Sequence, residues 1–261
     1  MSLLEILILA VVQGVTEFLP VSSSGHLVVV NELLVTLGRP PTKDLVEVNI
    51  ALHLGTLLSI FVYYWRDIWR LLSTDRRVIP LLIIGTIPAV VVGLPLKKLA
   101  PDVLENPLLA GVMFFVTAAL LVWAMRLPTG DGEYPQLTGK KTILIGMFQA
   151  LALLPGVSRS GATIAAGIFV GLKRNNAATF AFLLAIPAIL GAGLLEGLEI
   201  WKAGSSGTPL PTLAAGFCVA FVVGLAALWV LIRFVQRGQL AVFARYLIPL
   251  GVVVTIWQLV G

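Results

Sequence analysis

Ten residues near the N-terminal end hold a carboxylate, a run of hydroxyls and an imidazole: Glu17, then Ser22, Ser23, Ser24 and His26, interrupted by Pro20. Those are the parts of an activated-oxygen mechanism, in which a base and a group that orients it turn a hydroxyl into a nucleophile. Gln13 stands four residues before Glu17, so on a helix the two share a face. A second polar cluster, Ser158-Arg159-Ser160-Gly161, supplies a cation. The planar fork of a guanidinium matches phosphate oxygens. Gly161 admits backbone close to a ligand, and N–H groups at the helix starts after each break add a field for anions. Together the clusters suit a phosphate ester with an apolar remainder. A phosphatase and a phospholipid-type carrier both fit.

The setting makes these residues conspicuous. Of 261 residues, 58% are hydrophobic and 12% charged, against roughly 25% charged in soluble domains. Mean hydropathy is +1.00. Such a chain cannot cover a water-facing surface, which excludes disordered, disulfide-scaffolded and nucleic-acid-binding classes. The single cysteine, Cys218, excludes an internal disulfide and a cysteine-rich metal site. An ionisable group at the bilayer centre costs at least about 2.5–3.5 kcal/mol, so Glu17, His26 and Arg159 mark function by default.

Six apolar runs are long enough to cross a membrane, roughly 45–65, 78–96, 107–126, 176–199, 211–233 and 240–260. Two further stretches, about 3–31 and 141–171, are broken by Pro, Gly and Ser at their centres. Irregular backbone at membrane depth survives only inside protein or beside a wet cavity, so each stretch is expected to be a re-entrant helix hairpin. The two stretches resemble each other: Gln13 and Gln149 precede Pro20 and Pro155, and PVSSSGH parallels PGVSRSG with one residue of slippage. Each half then holds one hairpin and three spans, and an odd span count turns the second copy upside down. The expected fold is therefore an all-α polytopic membrane protein, one domain over 1–261, with inverted pseudo-repeats at about 1–127 and 140–261. Placing Arg66, Arg70, Arg76 and Arg77 in the cytoplasm puts twelve of the 18 basic residues on that side, as the positive-inside rule requires. Arg39, Lys43, Lys97, Lys98 and Lys202 fall opposite, and both termini come out extracytoplasmic. The N-terminal stretch lacks a basic n-region and is expected to be retained.

Residues 13–27 (QGVTEFLPVSSSGHL) with 155–163 (PGVSRSGAT) closely resemble the signatures of the undecaprenyl-diphosphate phosphatases, the bacitracin-resistance proteins of bacteria. The resemblance extends over the whole chain in length and span pattern. It implies removal of the terminal phosphate of undecaprenyl diphosphate at the outer face of the plasma membrane, returning the lipid carrier to cell-wall synthesis. It also implies a divalent cation, Mg²⁺ or Ca²⁺. By position, the catalytic set is Glu17, Ser23, His26 and Arg159: Ser23 as nucleophile or phosphate-contacting hydroxyl, His26 as its acid–base partner, Arg159 as diphosphate clamp. Glu17 would hold the metal or orient His26. Gln13, Ser22, Ser24, Ser158, Ser160, Gly161 and Thr163 complete the expected substrate contacts. Gln13 is the uncharged option at its position, leaving Glu17 as the one charged metal ligand in that motif, with diphosphate oxygens supplying the rest. Expected partners are the polyprenyl diphosphate lipid and membrane lipids, with a homodimer allowed and no nucleic acid.

Plainer roles exist for several of these residues. Any one serine of 22–24 can satisfy its own backbone, and Gly161 can serve close helix packing. His53 fits a structural or cavity-lining role better than a substrate contact, and Glu196 and Glu199 fit a solvated helix end better than a cavity rim. Tyr63, Tyr64, Trp65 and Trp69 beside Arg66 and Arg70 form an interfacial anchor, and 126–141 a solvated linker. Whether Ser23 attacks phosphorus or His26 or Glu17 activates water stays open at this level. The competing class is a polyprenyl-phosphate transporter, since inverted repeats with broken helices are a transporter plan.

Overall fold

A computed structural model describes residues 2–38, 45–203 and 208–260. Among them the chain forms twelve α-helices and no strand. They are α1 (Leu3–Phe18), α2 (Ser23–Thr36), α3 (Leu45–Tyr63), α4 (Trp65–Leu72), α5 (Val78–Leu99), α6 (Pro101–Leu104), α7 (Pro107–Arg126), α8 (Gly139–Leu151), α9 (Arg159–Phe169), α10 (Arg174–Ala203), α11 (Leu210–Gln236) and α12 (Ala244–Val260). Six helical segments are long and apolar enough to cross a membrane: Val46–Tyr63, Val78–Leu99, Pro107–Arg126, Arg174–Leu198, Leu210–Gln236 and Leu240–Val260. They coincide with the six expected runs, except that the last opens with a 3₁₀ turn, Leu240–Phe243. Arg39 and Lys43, and the side chains of Glu199 and Lys202, lie outside the described residues.

The two polar stretches are broken where their sequences predict. α1 has 16 residues, about 24 Å at 1.5 Å per residue, against a hydrocarbon core of about 30 Å. α2, α8 and α9 are shorter still, at 14, 13 and 11 residues. Leu19 adopts ψ 143, the extended backbone favoured before proline. Ser22 then takes φ +72, and in the second break Gly156 takes φ +92. Packing relates the two halves: α1 lies on α11 as α8 lies on α5, and α3 meets α11 as α10 meets α5. α3 also packs on α10, and α7 on α12.

The connector between the halves keeps Asp131 and Glu133 exposed, as a solvated linker does, but is pinned to the bundle at Tyr134. Tyr134 is 5% exposed, because its hydroxyl donates to Asp67 Oδ1 at 3.3 Å and its N–H to Asn176 Oδ1 at 3.0 Å. Gly132 and Lys173 tie it further: Gly132 N–H donates to Gly171 O, and Lys173 N–H to Gly132 O. Burial and the neighbouring Asp67 carboxylate push the Tyr134 hydroxyl up to about 12, so it remains a donor at neutral pH. The aromatic anchor divides similarly. Trp65 and Trp69 are exposed, whereas Tyr64 is buried and stacked on Phe182.

Candidate functional site

The two breaks meet, and Glu17 is the point at which they meet. Its position four residues after Gln13 on α1 lets Gln13 Nε2 donate to Glu17 Oε2 at 3.0 Å. Ser23, the first residue of α2, donates through Oγ to the same oxygen at 2.8 Å. Arg159, the first residue of α9, donates from Nη2 to Oε1 at 2.6 Å. The carboxylate is thus buried with its charge matched and both oxygens occupied. Such an arrangement is the condition for keeping an ion in a low-dielectric interior.

Both helix starts are built alike. Ser22 caps α2 by accepting from Gly25 N–H, and Ser158 caps α9 by accepting from Gly161 N–H. Ser24 and Ser160 each hydrogen-bond back to the capping hydroxyl, at 3.3 and 3.1 Å. Ser22 therefore corresponds to Ser158, Ser23 to Arg159 and Ser24 to Ser160. The offset is the one that pairs Gln13 with Gln149, so the slippage seen in sequence belongs to the prolines alone. The breaks are also sewn together. Gly156 N–H donates to Ser22 Oγ at 3.1 Å, while Thr117 on α7 donates to Gly156 O and accepts from Ser158 N–H. A Cβ on Gly25 would stand 2.6 Å from Gly156 N, so this crossing requires glycine.

A cavity of about 220 Å³ opens beside Glu17. Its polar end holds Glu17, Ser22, Ser23, Ser24, Ser158, Arg159, His53 and Gln149. Its apolar wall includes Ile50, Ala89, Leu153, Ala188, Ile189 and Ala192, and Glu196 stands on it as well. Ser23 and Arg159 are thus both brought to the cavity.

Other expected contacts sit elsewhere. Ser160, Gly161 and Thr163 are buried behind the cavity wall: Thr163 Oγ1 donates to Arg159 O, and a Cβ on Gly161 would press on Pro20 and Leu121. Gln13 is fully buried and reaches the site through Glu17. His26 is not joined to Ser23. Its Nδ1 donates to Ser22 O at 2.7 Å, and its Nε2 bonds Tyr246 Oη at 2.7 Å, with the two rings stacked. Both ring nitrogens are thereby spent, one on the carbonyl four residues back and one on α12, so neither is left for Ser23 Oγ.

The imidazole that does reach the cavity is His53. Its Nδ1 donates to Asn49 O at 2.8 Å, and its Nε2 lies 3.9 Å from Glu17 Oε2. A lone polar residue inside an apparent span was the signal for it. Gln149 and Tyr246 carried no functional assignment in the sequence; only Gln149 had a visible mark, as an element of the repeat. Among the described residues no group of three or more His, Cys, Asp or Glu could hold a metal ion.

The family model described as bacitracin resistance protein BacA matches residues 6–253. An undecaprenyl-diphosphatase of Rhodopirellula baltica is 49% identical over 259 residues, covering 99% of each chain. One from Desulfosudis oleivorans is 40% identical over 271 residues and 96% of each chain. Another, from Methanosphaera stadtmanae, is 34% identical over 283 residues, covering 100% of this chain and 99% of that one.

Proposed function

Because this chain belongs to the bacitracin resistance protein BacA family, we propose that it is a membrane-embedded phosphatase that hydrolyses undecaprenyl diphosphate to undecaprenyl phosphate and inorganic phosphate. That reaction recycles the lipid carrier for cell-wall synthesis and gives resistance to bacitracin. The observation that carries the reading is the convergence of Ser23 and Arg159 on the two oxygens of Glu17 at the cavity wall. Its volume of about 220 Å³ is below the roughly 300–1,000 Å³ of sites that enclose whole drug-sized ligands. It suits a headgroup whose prenyl tail stays in lipid, against the exposed apolar helix faces.

Glu17 Oε2 takes the proton of Ser23 as Ser23 Oγ attacks the terminal phosphorus. The P–O bond to the bridging oxygen breaks, undecaprenyl phosphate leaves, and water then hydrolyses the phosphoserine. Arg159 holds the transferring phosphoryl oxygens and offsets their charge, the main protein contribution in such reactions. Ser158 and Ser24 border the same space, and Ser22 shapes it by fixing the crossing of the two breaks. His26 acts at one remove, by holding the Ser22 carbonyl. His53 contributes a substrate contact at the Glu17 end.

A divalent cation fits this donor set only as an ion carried by the diphosphate. Among the described residues Glu17 is the carboxylate bonded to Ser23, and its oxygens already accept from Arg159, Ser23 and Gln13. Glu17 would hold the ion together with phosphate oxygens, and the ion would neutralise their charge.

The exchanged packing of α1, α3, α5, α8, α10 and α11 supports an inverted repeat in which both hairpins are re-entrant. The bias of basic residues supports a bacterial plasma-membrane location with the cavity open to the extracytoplasmic side. The decisive test is phosphate release from undecaprenyl diphosphate by purified protein in detergent, with and without chelator, beside Ser23→Ala and Arg159→Ala. Chelator-sensitive release that collapses in both variants is expected. Bound lipid with no release by the folded wild type would instead make the protein a polyprenyl-phosphate carrier.

A further inference from the structure

Gln149 is 2% exposed and lines the cavity, yet neither its Nε2 nor its Oε1 has a hydrogen-bond partner. Burying an amide without partners costs free energy that a folded protein rarely tolerates without a use. Side by side, the two hairpins show which partner is missing. Gln13, at the corresponding position of the first hairpin, spends its Nε2 on Glu17 four residues later. Four residues after Gln149 the chain has Leu153, which is apolar and borders the cavity. The same residue at the same helical position therefore has a partner for its Nε2 in one half, with only its Oε1 unpartnered, and has no partner for either polar atom in the other, where it borders the cavity.

We propose that Gln149 is a substrate-binding residue, whose Nε2–H donates to a non-bridging oxygen of the diphosphate. This rests on the phosphatase reading of the cavity. Arg159 and Ser158, the other donors that the second hairpin brings to the wall, follow Gln149 in the chain across the break. The substrate's phosphates are thus gripped from α8 as well as from the start of α9. The carboxamide is neutral, so it adds a directional donor without attracting the charge that Glu17 must already balance. It contacts bound substrate before and during phosphoryl transfer alike, and so it acts on affinity more than on turnover.

The test is Gln149→Met, which keeps the length of the side chain and removes both polar atoms. KM for undecaprenyl diphosphate should rise roughly tenfold to hundredfold, the size of a lost hydrogen bond to a charged group. kcat should stay within about threefold, and the thermal midpoint should hold or rise because an unpartnered buried amide is gone. Gln149→Glu should weaken binding further by setting a carboxylate against the phosphates. An unchanged KM in Gln149→Met, with or without a lower midpoint, overturns the assignment.

Calorimetric titration of a short-chain prenyl diphosphate separates this idea from the phosphatase reading. If the wild type binds but releases no phosphate, weaker binding by Gln149→Met still supports the contact, whereas equal binding overturns it. A wild type that neither binds nor hydrolyses the prenyl diphosphate overturns both.

Discussion

The two broken hairpins share a plan and differ in chemistry. Each ends its first helix a few residues after a glutamine, caps its second helix with a serine, and places the working side chain directly after that cap. The first hairpin puts Ser23 in that place and the second puts Arg159. Glu17 stands opposite them on α1, where the second hairpin has Leu153. One copy thus carries a hydroxyl and a base, the other a cation and an unpartnered amide. Their surroundings differ too. In α9 every residue from Ser160 to Ile168 is buried, whereas in α2 only Gly25 is. The cation is set in the better-packed hairpin, and the hydroxyl proposed as nucleophile starts a helix with open sides. Two similarly built helix starts that differ at two or three positions thus meet in an asymmetric site.

The largest expected effect comes from the residues that differ. Ser23→Ala should lower kcat by roughly 10³-fold or more while lowering the thermal midpoint only modestly, because Gln13 and Arg159 still hold Glu17. Arg159→Ala should also abolish turnover but lower the midpoint further, since it leaves Glu17 buried without its cation, a loss of about 3–5 kcal/mol. Equal midpoints for the two variants would break the contrast between hydroxyl and clamp. Both are read by steady-state phosphate release and a melting scan in detergent.

The shared parts sharpen the comparison at smaller magnitude. Gly25→Ala should cost about 1–3 kcal/mol of stability by driving a methyl into Gly156. Gly139→Ala, where a Cβ would meet nothing within 4 Å, serves as the neutral control in the same melting scan. Ser158→Ala should cost about 1 kcal/mol as a lost helix cap. Ser22→Ala should cost more, because it also strands the N–H of Gly156. Equal losses would mean that the junction between the hairpins contributes nothing beyond capping.

His26 and Tyr134 test what lies around the pair. His26→Asn, which keeps a donor within reach of Ser22 O, should retain more turnover than His26→Ala; equal collapse would make the imidazole itself a proton carrier. Tyr134→Phe should leave turnover intact and lower stability by about 1 kcal/mol at neutral pH, the net value of one hydrogen bond. The Tyr134 hydroxyl titrates higher in the fold, at about 12, than its ordinary value of about 10. Its contribution is therefore complete below about pH 10 and fades as pH rises toward 12. A melting scan from pH 8 to 11.5 should show wild type and Tyr134→Phe converging at the alkaline end.

Much of this arrangement is legible along the chain because the membrane simplifies the code. A span must be apolar for about 20 residues, so six spans and two interruptions stand out, and the few charged groups inside them advertise the site. Glu17, Ser23 and Arg159 could be named from residue type, spacing and resemblance, and all three meet. Pairing across the molecule is not written in local spacing. His26 lies close to Ser23 in sequence but turns away to Ser22 and Tyr246, while His53, some thirty residues on, returns to Glu17. Ser160, Gly161 and Thr163 share a motif with Arg159, yet the helix that they start buries all three in the core. The 126–141 connector is polar enough to suggest a solvated linker; Asp67 and Asn176, far away in sequence, are what bury Tyr134.

The sequence by itself determined the class, the six spans, the two breaks and the charged residues at their centres. Those follow from hydropathy, helix length and the backbone limits of proline and glycine, which act locally. Only the tertiary structure decided that Ser23 and Arg159 share one carboxylate, that His53 rather than His26 reaches the cavity, and that Gln13 Nε2 finds a partner while neither polar atom of Gln149 does. Such outcomes depend on which helix faces come together, and that is set by the packing of both halves at once.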